Sequence, residues 1–127
     1  MILITGGAFS GKTEFAMRAF SLKKTDIADG AECSIENALS CRAIKNFQLF
    51  VKRFGTDGGA ALAEKIYAAN PCIIIISTEI GSGIIPMEKT DRIWREETGR
   101  ACCAAAERSE KVIRLCCGIP TAIKGEL

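Results

Sequence analysis

Glycines at 6, 7 and 11, a lysine at 12 and a threonine at 13 form the clearest chemical pattern in the chain. The octet Gly6-Gly7-Ala8-Phe9-Ser10-Gly11-Lys12-Thr13 fits Gly, four residues, Gly-Lys-Ser/Thr, the spacing of a loop that wraps phosphate groups. Glycine lets the backbone curl so that successive N–H groups face phosphate oxygens. Lys12 supplies a cation for β- and γ-phosphates, and the Thr13 hydroxyl is a ligand for Mg²⁺. ATP or GTP with Mg²⁺ is the expected occupant of residues 6–13.

Such a loop must lie between a strand and a helix. Met1-Ile2-Leu3-Ile4-Thr5 is a short apolar run, and Thr13 to Phe20 has helical composition, so a helix N-terminus adds its dipole to the site. Thr25 to Gly30 reads as a second strand running into a turn, with Asp29 at its C-terminal end, where open parallel sheets place ligands. Asp29 is either an acid that holds Mg²⁺ through water or a plain Asp-Gly turn residue. Cys72 to Ser77 is the uninterrupted β-branched run of a central parallel strand. Thr78-Glu79-Ile80-Gly81-Ser82-Gly83 follows at its tip, where a carboxylate and glycines suit a loop that lines a site.

The other segments read as scaffold. Ser34 is the expected N-cap of a long helix whose apolar face runs through residues 39, 43, 44, 47, 50, 51 and 54, with Gly55 as its stop. A further helix is expected from Ala60 to Ala69, ended by Asn70-Pro71. Ile84-Ile85-Pro86 reads as extended, and a long helix follows from about Glu88 to Ser109. Asp91, Arg92, Arg95, Glu96 and Arg100 form its charged face, Trp94 suits packing or a ligand wall, and Gly99 suggests close packing or close ligand approach. Val112 to Cys117 is the last core strand, and Thr121 to Lys124 returns after Gly118-Ile119-Pro120 as an edge strand. The expectation is a three-layer α/β/α domain over residues 1–127, with a mostly parallel sheet of about five strands and an antiparallel C-terminal edge.

With 127 residues, 48% of them hydrophobic, the chain is one domain with a real core. A net charge of +2 and no basic stripe with interleaved aromatics argue against nucleic acid. The longest aliphatic run, Ile73 to Ile76, is far short of a membrane span, and the N-terminus lacks a signal-peptide n-region, so a cytoplasmic location is expected. Seven cysteines without a Cys-x-x-Cys pair or any histidine argue against zinc, and free, mostly buried thiols are expected.

These residues also carry a family resemblance. The octet 6–13 resembles the phosphate loop of the bifunctional adenosylcobinamide kinase/adenosylcobinamide-phosphate guanylyltransferase family of cobalamin assembly. Ser77 to Pro86 resembles that family's Ser-Asn-Glu-Val-Gly-x-Gly-Val-Pro segment. Arg92, Trp94, Arg95, Glu96, Gly99 and Arg100 fall on its Arg-x-Phe-Arg-Asp-x-x-Gly-Arg pattern, and Gly118-Ile119-Pro120 with Ile123-Lys124 on its C-terminal end. The resemblance implies a RecA-like P-loop NTPase fold, phosphorylation of a corrinoid alcohol, and a homotrimer. It places Lys12 and Thr13 on the phosphates and Mg²⁺, Glu79 and Arg95 in the site, and Asp29 loosely at the acid that ends a middle strand. The family's guanylyl transfer runs through a histidine. This chain has none and is shorter between the first helix and Asp29, so a kinase-like activity without guanylyl transfer is the expectation. The alternative is a non-catalytic paralogue that senses the nucleotide or assembles with a full-length member.

Overall fold

The computed structural model describes residues 1–80 and 88–127. The expectations for the Gly81-Ser82-Gly83 loop and for an extended Ile84-Ile85-Pro86 lie outside these residues. Strand β1 (Ile2–Gly6) is the axis of the sheet, pairing in parallel with β4 (Ile74–Thr78) on one side and β5 (Lys111–Cys116) on the other. Ile4 lies level with both Ile76 and Ile113. Two short strands, β2 (Ile27–Asp29) and β3 (Ala43–Lys45), extend the sheet beyond β4, and β6 (Ile119–Lys124) closes the other edge antiparallel to β5. Among the described residues the sheet order is β2-β3-β4-β1-β5-β6, six strands where about five were expected, with the antiparallel edge in place.

Successive side chains along the strands alternate between two cores. Leu3, Ile73, Ile75, Ile44 and Val112 face one layer with α3 (Phe47–Phe54), α4 (Gly59–Ala69) and α5 (Lys89–Arg108). Ile4, Ile74, Ile76, Ala43, Ile113 and Leu115 face the other, packed with Ala16, Phe15 and Met17 of α1 (Lys12–Ala19). Fully burying one such aliphatic side chain is worth about 1.5–3 kcal/mol, so this double-sided sheet dominates the fold's stability. No helix among the described residues is long and apolar enough to cross a membrane.

The long helix expected from Ser34 to Phe54 is instead three elements. Ser34 does cap a helix, its Oγ accepting from Asn37 N at 3.1 Å, but that helix, α2 (Ile35–Ala38), ends after one turn. The chain then joins the sheet as β3, with Ala43 and Ile44 level with Ile74 and Ile75 of β4. Asn46, at φ 54°, turns it into α3. Ala43 and Ile44 are fully buried on opposite faces, and a three-residue strand that begins with two buried residues carries no alternation to contradict a helical face. The thiols also differ from expectation. All seven are free, but only Cys33 is buried, and Cys72, Cys103, Cys116 and Cys117 are exposed.

Candidate functional site

The loop between β1 and α1 sits at the C-terminal edge of the sheet. Its glycines answer to local constraints. A Cβ on Gly6 would lie 2.5 Å from the Leu115 carbonyl oxygen and 2.8 Å from Ser10 Oγ, and Gly11 takes φ 82° to start α1. Phe9 stands fully exposed at φ 58°, a left-handed backbone that a bulky residue seldom adopts. The turn between β5 and β6 braces the loop from outside, Gly118 N donating to the Ser10 carbonyl at 3.2 Å. Just past β4, Glu79 N donates to the Gly6 carbonyl at 2.8 Å.

Lys12 lies in the fold of this loop, only 8% exposed. Its Nζ donates to the Gly7 carbonyl at 2.7 Å and to Ser10 Oγ at 3.4 Å. Burial pushes its pKa below the ordinary lysine value, partly countered by the charges of Glu79 and Glu14. A cation held in a partly dehydrated cradle of carbonyl and hydroxyl oxygens is poised to exchange them for phosphate oxygens.

A cavity of about 350 Å³ opens beside the loop, lined by residues 8–14 on one side and by Asn46, Gln48, Ile76 and Thr78 on the other. Ala8 to Thr13 thus border one space. A second cavity of about 200 Å³ lies next to it, lined by Glu79, Arg95, Thr98, Gly99 and Cys102 with Thr5, Ser77, Thr78 and Ile80. Thr78 borders both. The second cavity therefore brings together Glu79 at the end of β4 and Arg95 on α5. Gly99 is there too, and among the described residues a Cβ on it would meet nothing within 4 Å, so of close packing and close ligand approach only the second fits its place on the cavity. Thr98 Oγ1, buried in the same wall, has no hydrogen-bond partner among the described residues.

Two of the expected residues line neither cavity. Asp29 ends β2, at the far edge of the sheet, and does not line the cavity beside the loop. Its Oδ1 accepts from Ala31 N and from Asn46 Nδ2, both at 3.0 Å, so it touches the cavity only through Asn46. Burial acts to raise its pKa, but these hydrogen bonds, with Lys45 and Arg53 nearby, bring it below the usual value. Trp94 packs rather than lining either cavity, its Nε1 donating to the Gln48 carbonyl at 2.7 Å with the Lys52 ammonium 4.6 Å above its ring.

Gln48 and Asn46 are lining residues that sequence reasoning left on a scaffold helix. Gln48 Oε1 accepts from Thr78 N at 3.0 Å, an attachment between α3 and β4 that only the tertiary fold creates. The available signal was Asn46, a residue type that tolerates the left-handed turn ending a strand.

Comparison with known proteins adds a family to this geometry. A model of the cobinamide kinase/cobinamide phosphate guanyltransferase family matches residues 52–123, more than half of the chain. The matched residues contain β4, α5, β5 and the second cavity's Glu79, Arg95 and Cys102, while the loop of residues 6–13 precedes them. The chain is also similar to the bifunctional adenosylcobalamin biosynthesis protein CobP of Pseudomonas aeruginosa, 39% identical over 54 residues. That alignment covers 42% of this chain and 31% of the relative, so the chain matches less than a third of the relative's length. With a mostly parallel six-stranded sheet and the family match across its C-terminal half, this chain belongs to the cobinamide kinase/cobinamide phosphate guanyltransferase family.

Proposed function

We propose that the protein is a nucleoside-triphosphate-dependent kinase for a corrinoid alcohol of the cobinamide type, without the family's guanylyl transfer. The observation that carries this reading is the shared wall at Thr78, which joins the cavity beside Lys12 to the cavity beside Glu79 and Arg95. A donor nucleotide on the loop and an acceptor hydroxyl in the second cavity would meet there.

The residues suit a triphosphate and its metal. Lys12 is a desolvated cation among loop amides, and Thr13 offers a hydroxyl at the start of α1. Mg²⁺, when bound, would supply charge neutralisation at the β- and γ-phosphates. Lys12 binds and neutralises the transferring group, Glu79 orients the acceptor hydroxyl or takes its proton, and Arg95 steadies charge at the same wall. Positioning and charge neutralisation are what phosphoryl transfer asks of a protein. The chain contains no histidine to carry a guanylyl group.

A kinase assay tests the reading directly. The protein is incubated with adenosylcobinamide, Mg²⁺ and either ATP or GTP, and the corrinoid is analysed by mass. Addition of one phosphate supports it, and an unchanged corrinoid with both nucleotides counts against it.

One observation favours a second reading, a paralogue that binds the nucleotide without transferring phosphate. Arg114 already forks the Glu79 carboxylate, occupying both of its oxygens and leaving less of it to receive an acceptor hydroxyl. Tight triphosphate binding with no turnover on any offered alcohol is its signature.

A further inference from the structure

The cavity beside the loop has a second wall, of Asn46, Gln48, Ile76 and Thr78, and Gln48 offers a donor on it. Gln48 is 7% exposed and fixed at both ends. Its backbone carbonyl accepts from Trp94 Nε1 and its side-chain Oε1 from Thr78 N. The Thr78 N–H can only donate, which settles the orientation of the carboxamide: oxygen toward β4, NH₂ away from it. That NH₂ has no hydrogen-bond partner among the described residues and is left to the cavity that Gln48 lines.

A second observation points the same way. Asn46, the N-cap of α3, spends its side chain on Asp29 and makes no capping hydrogen bond. The first two amides of the helix, Phe47 N and Gln48 N, carry no hydrogen-bond partner among the described residues. The positive end of an eight-residue helix therefore lies at this wall, across the cavity from the start of α1 and Lys12. Asp29, the acid behind the wall, is occupied by Asn46 and Ala31, while Glu14 belongs to the loop side.

Donors that border a cavity without protein acceptors suit a group that only accepts. The geometry points to a second phosphate-oxygen subsite, formed by the Gln48 carboxamide and the N-terminus of α3, facing the phosphate loop across one cavity. It rests on the reading that residues 6–13 hold a nucleotide. Two sources share this chemistry: the terminal phosphate of the bound triphosphate, or a phosphate on the second substrate.

Gln48→Glu is the informative variant, because a glutamate keeps an acceptor for Thr78 N while replacing the donor with negative charge. Affinities for ADP and for the β,γ-imido triphosphate are measured by calorimetry with Mg²⁺, in wild type and variant. The terminal-phosphate source predicts that the triphosphate analogue weakens about tenfold or more while ADP is unchanged. The second-substrate source predicts unchanged nucleotide binding and loss of inorganic phosphate binding to protein saturated with the analogue. Equal affinities for all probes in wild type and variant overturn the subsite. If Gln48→Glu does not fold, Gln48→Met is read by the ratio of analogue to ADP affinity, which general damage leaves unchanged. Lys12→Ala separates the two readings: nucleotide affinity unaffected by it removes the loop assignment. The subsite then stands or falls on whether Gln48→Glu abolishes inorganic phosphate binding to the nucleotide-free protein.

Discussion

Arg114 grips Glu79 by two hydrogen bonds, Nε to Oε1 at 2.9 Å and Nη2 to Oε2 at 3.2 Å, which ties β5 to the end of β4 beside the second cavity. The pair is more than a third exposed on the arginine side, so water and salt screen it and the fold depends on it little. Its importance lies in which carboxylate it occupies. Glu79→Gln is expected to lower phosphoryl transfer on the order of 10²-fold while leaving triphosphate affinity in place, the result of removing a base or orienting group. Arg114→Ala should keep the melting temperature close to wild type and leave transfer intact or faster. Equal turnover in Glu79→Gln and wild type would remove Glu79 from the mechanism.

Lys12→Ala should lower transfer on the order of 10²-fold or more and weaken triphosphate binding more than monophosphate binding. The pH dependence follows from the lowered pKa of this lysine. As pH rises through that value, Lys12 loses its charge before an ordinary lysine would, and triphosphate affinity falls. Lys12→Arg should keep its affinity through the same interval. Stability of the free protein has the opposite sign. Between the lowered folded value and the unfolded value near 10.5 the unfolded chain binds more protons, so folding gains as pH rises. Affinity and melting temperature titrated together from neutral to alkaline pH check both signs.

Metal dependence divides Thr13 from Asp29. Thr13→Ala should blunt the strengthening of triphosphate binding by Mg²⁺. Asp29→Asn should leave that strengthening largely intact, because the carboxylate reaches the cavity only through Asn46. Its loss should appear in acid stability instead. A carboxylate whose folded pKa is lowered stabilises the protein above its unfolded value of 3.8, and that contribution fades as pH falls through the folded value. Melting curves between neutral and strongly acidic pH, in wild type and Asp29→Asn, read this difference. An Asp29→Asn protein that has lost its Mg²⁺ response would instead place Asp29 on the metal.

At Gly59 the start of α4 lies directly against α5. Its N–H donates to Glu97 Oε1 at 3.0 Å, and a Cβ there would overlap the Glu97 backbone carbonyl. Gly59→Ala should destabilise the protein by about 3 kcal/mol or more, since neither helix backbone can yield without unpacking the core. Gly99→Ala, on the open side of α5, should cost nothing and adds a helix former. Denaturant unfolding of the two variants provides the contrast.

Guanylyl transfer should leave no covalent trace. A histidine intermediate needs an imidazole to attack the α-phosphorus, and the chain has none. Lys12, the most buried cation at the loop, is engaged as a donor to Gly7 and Ser10 rather than held as a nucleophile. Incubation with α-labelled GTP and Mg²⁺, then denaturation, should yield unlabelled protein. A stoichiometric, denaturation-resistant adduct would call for another nucleophile among the lysines and cysteines.

The legible parts of this fold were those whose signals are local. The octet 6–13, the isoleucine run of β4, α4 before Asn70-Pro71, α5 and the returning β6 all stand where their residues predict. The failure between Ser34 and Phe54 was one of span. Leu39, Ala43, Ile44, Phe47, Phe50 and Val51 do fall on a helical stripe, yet Ala43 and Ile44 are claimed by sheet partners distant in sequence. The second wall of the loop cavity was hidden for the same reason, since Gln48 acquires its place from Thr78 and Trp94. Asp29 shows the converse. A strand-end acid is read correctly as such, but its rank in the sheet order, which keeps it from the loop, is set by β3.

The placement of β1 has a consequence for how the protein folds. At Ile2 the strand has no sheet partner nearby in sequence, and the residues level with it, Ile74 and Lys111, lie far along the chain. The brace on the loop comes later still, at Gly118. Residues 6–13, with an aliphatic strand before them, thus reach their folded arrangement only once residues distant in sequence are in place. Such long-range closure is slow and leaves sticky surface uncovered meanwhile. The braced loop is therefore a late product of folding, and an intermediate without β5 and the β5–β6 turn leaves one edge of an apolar strand uncovered and the loop unsupported.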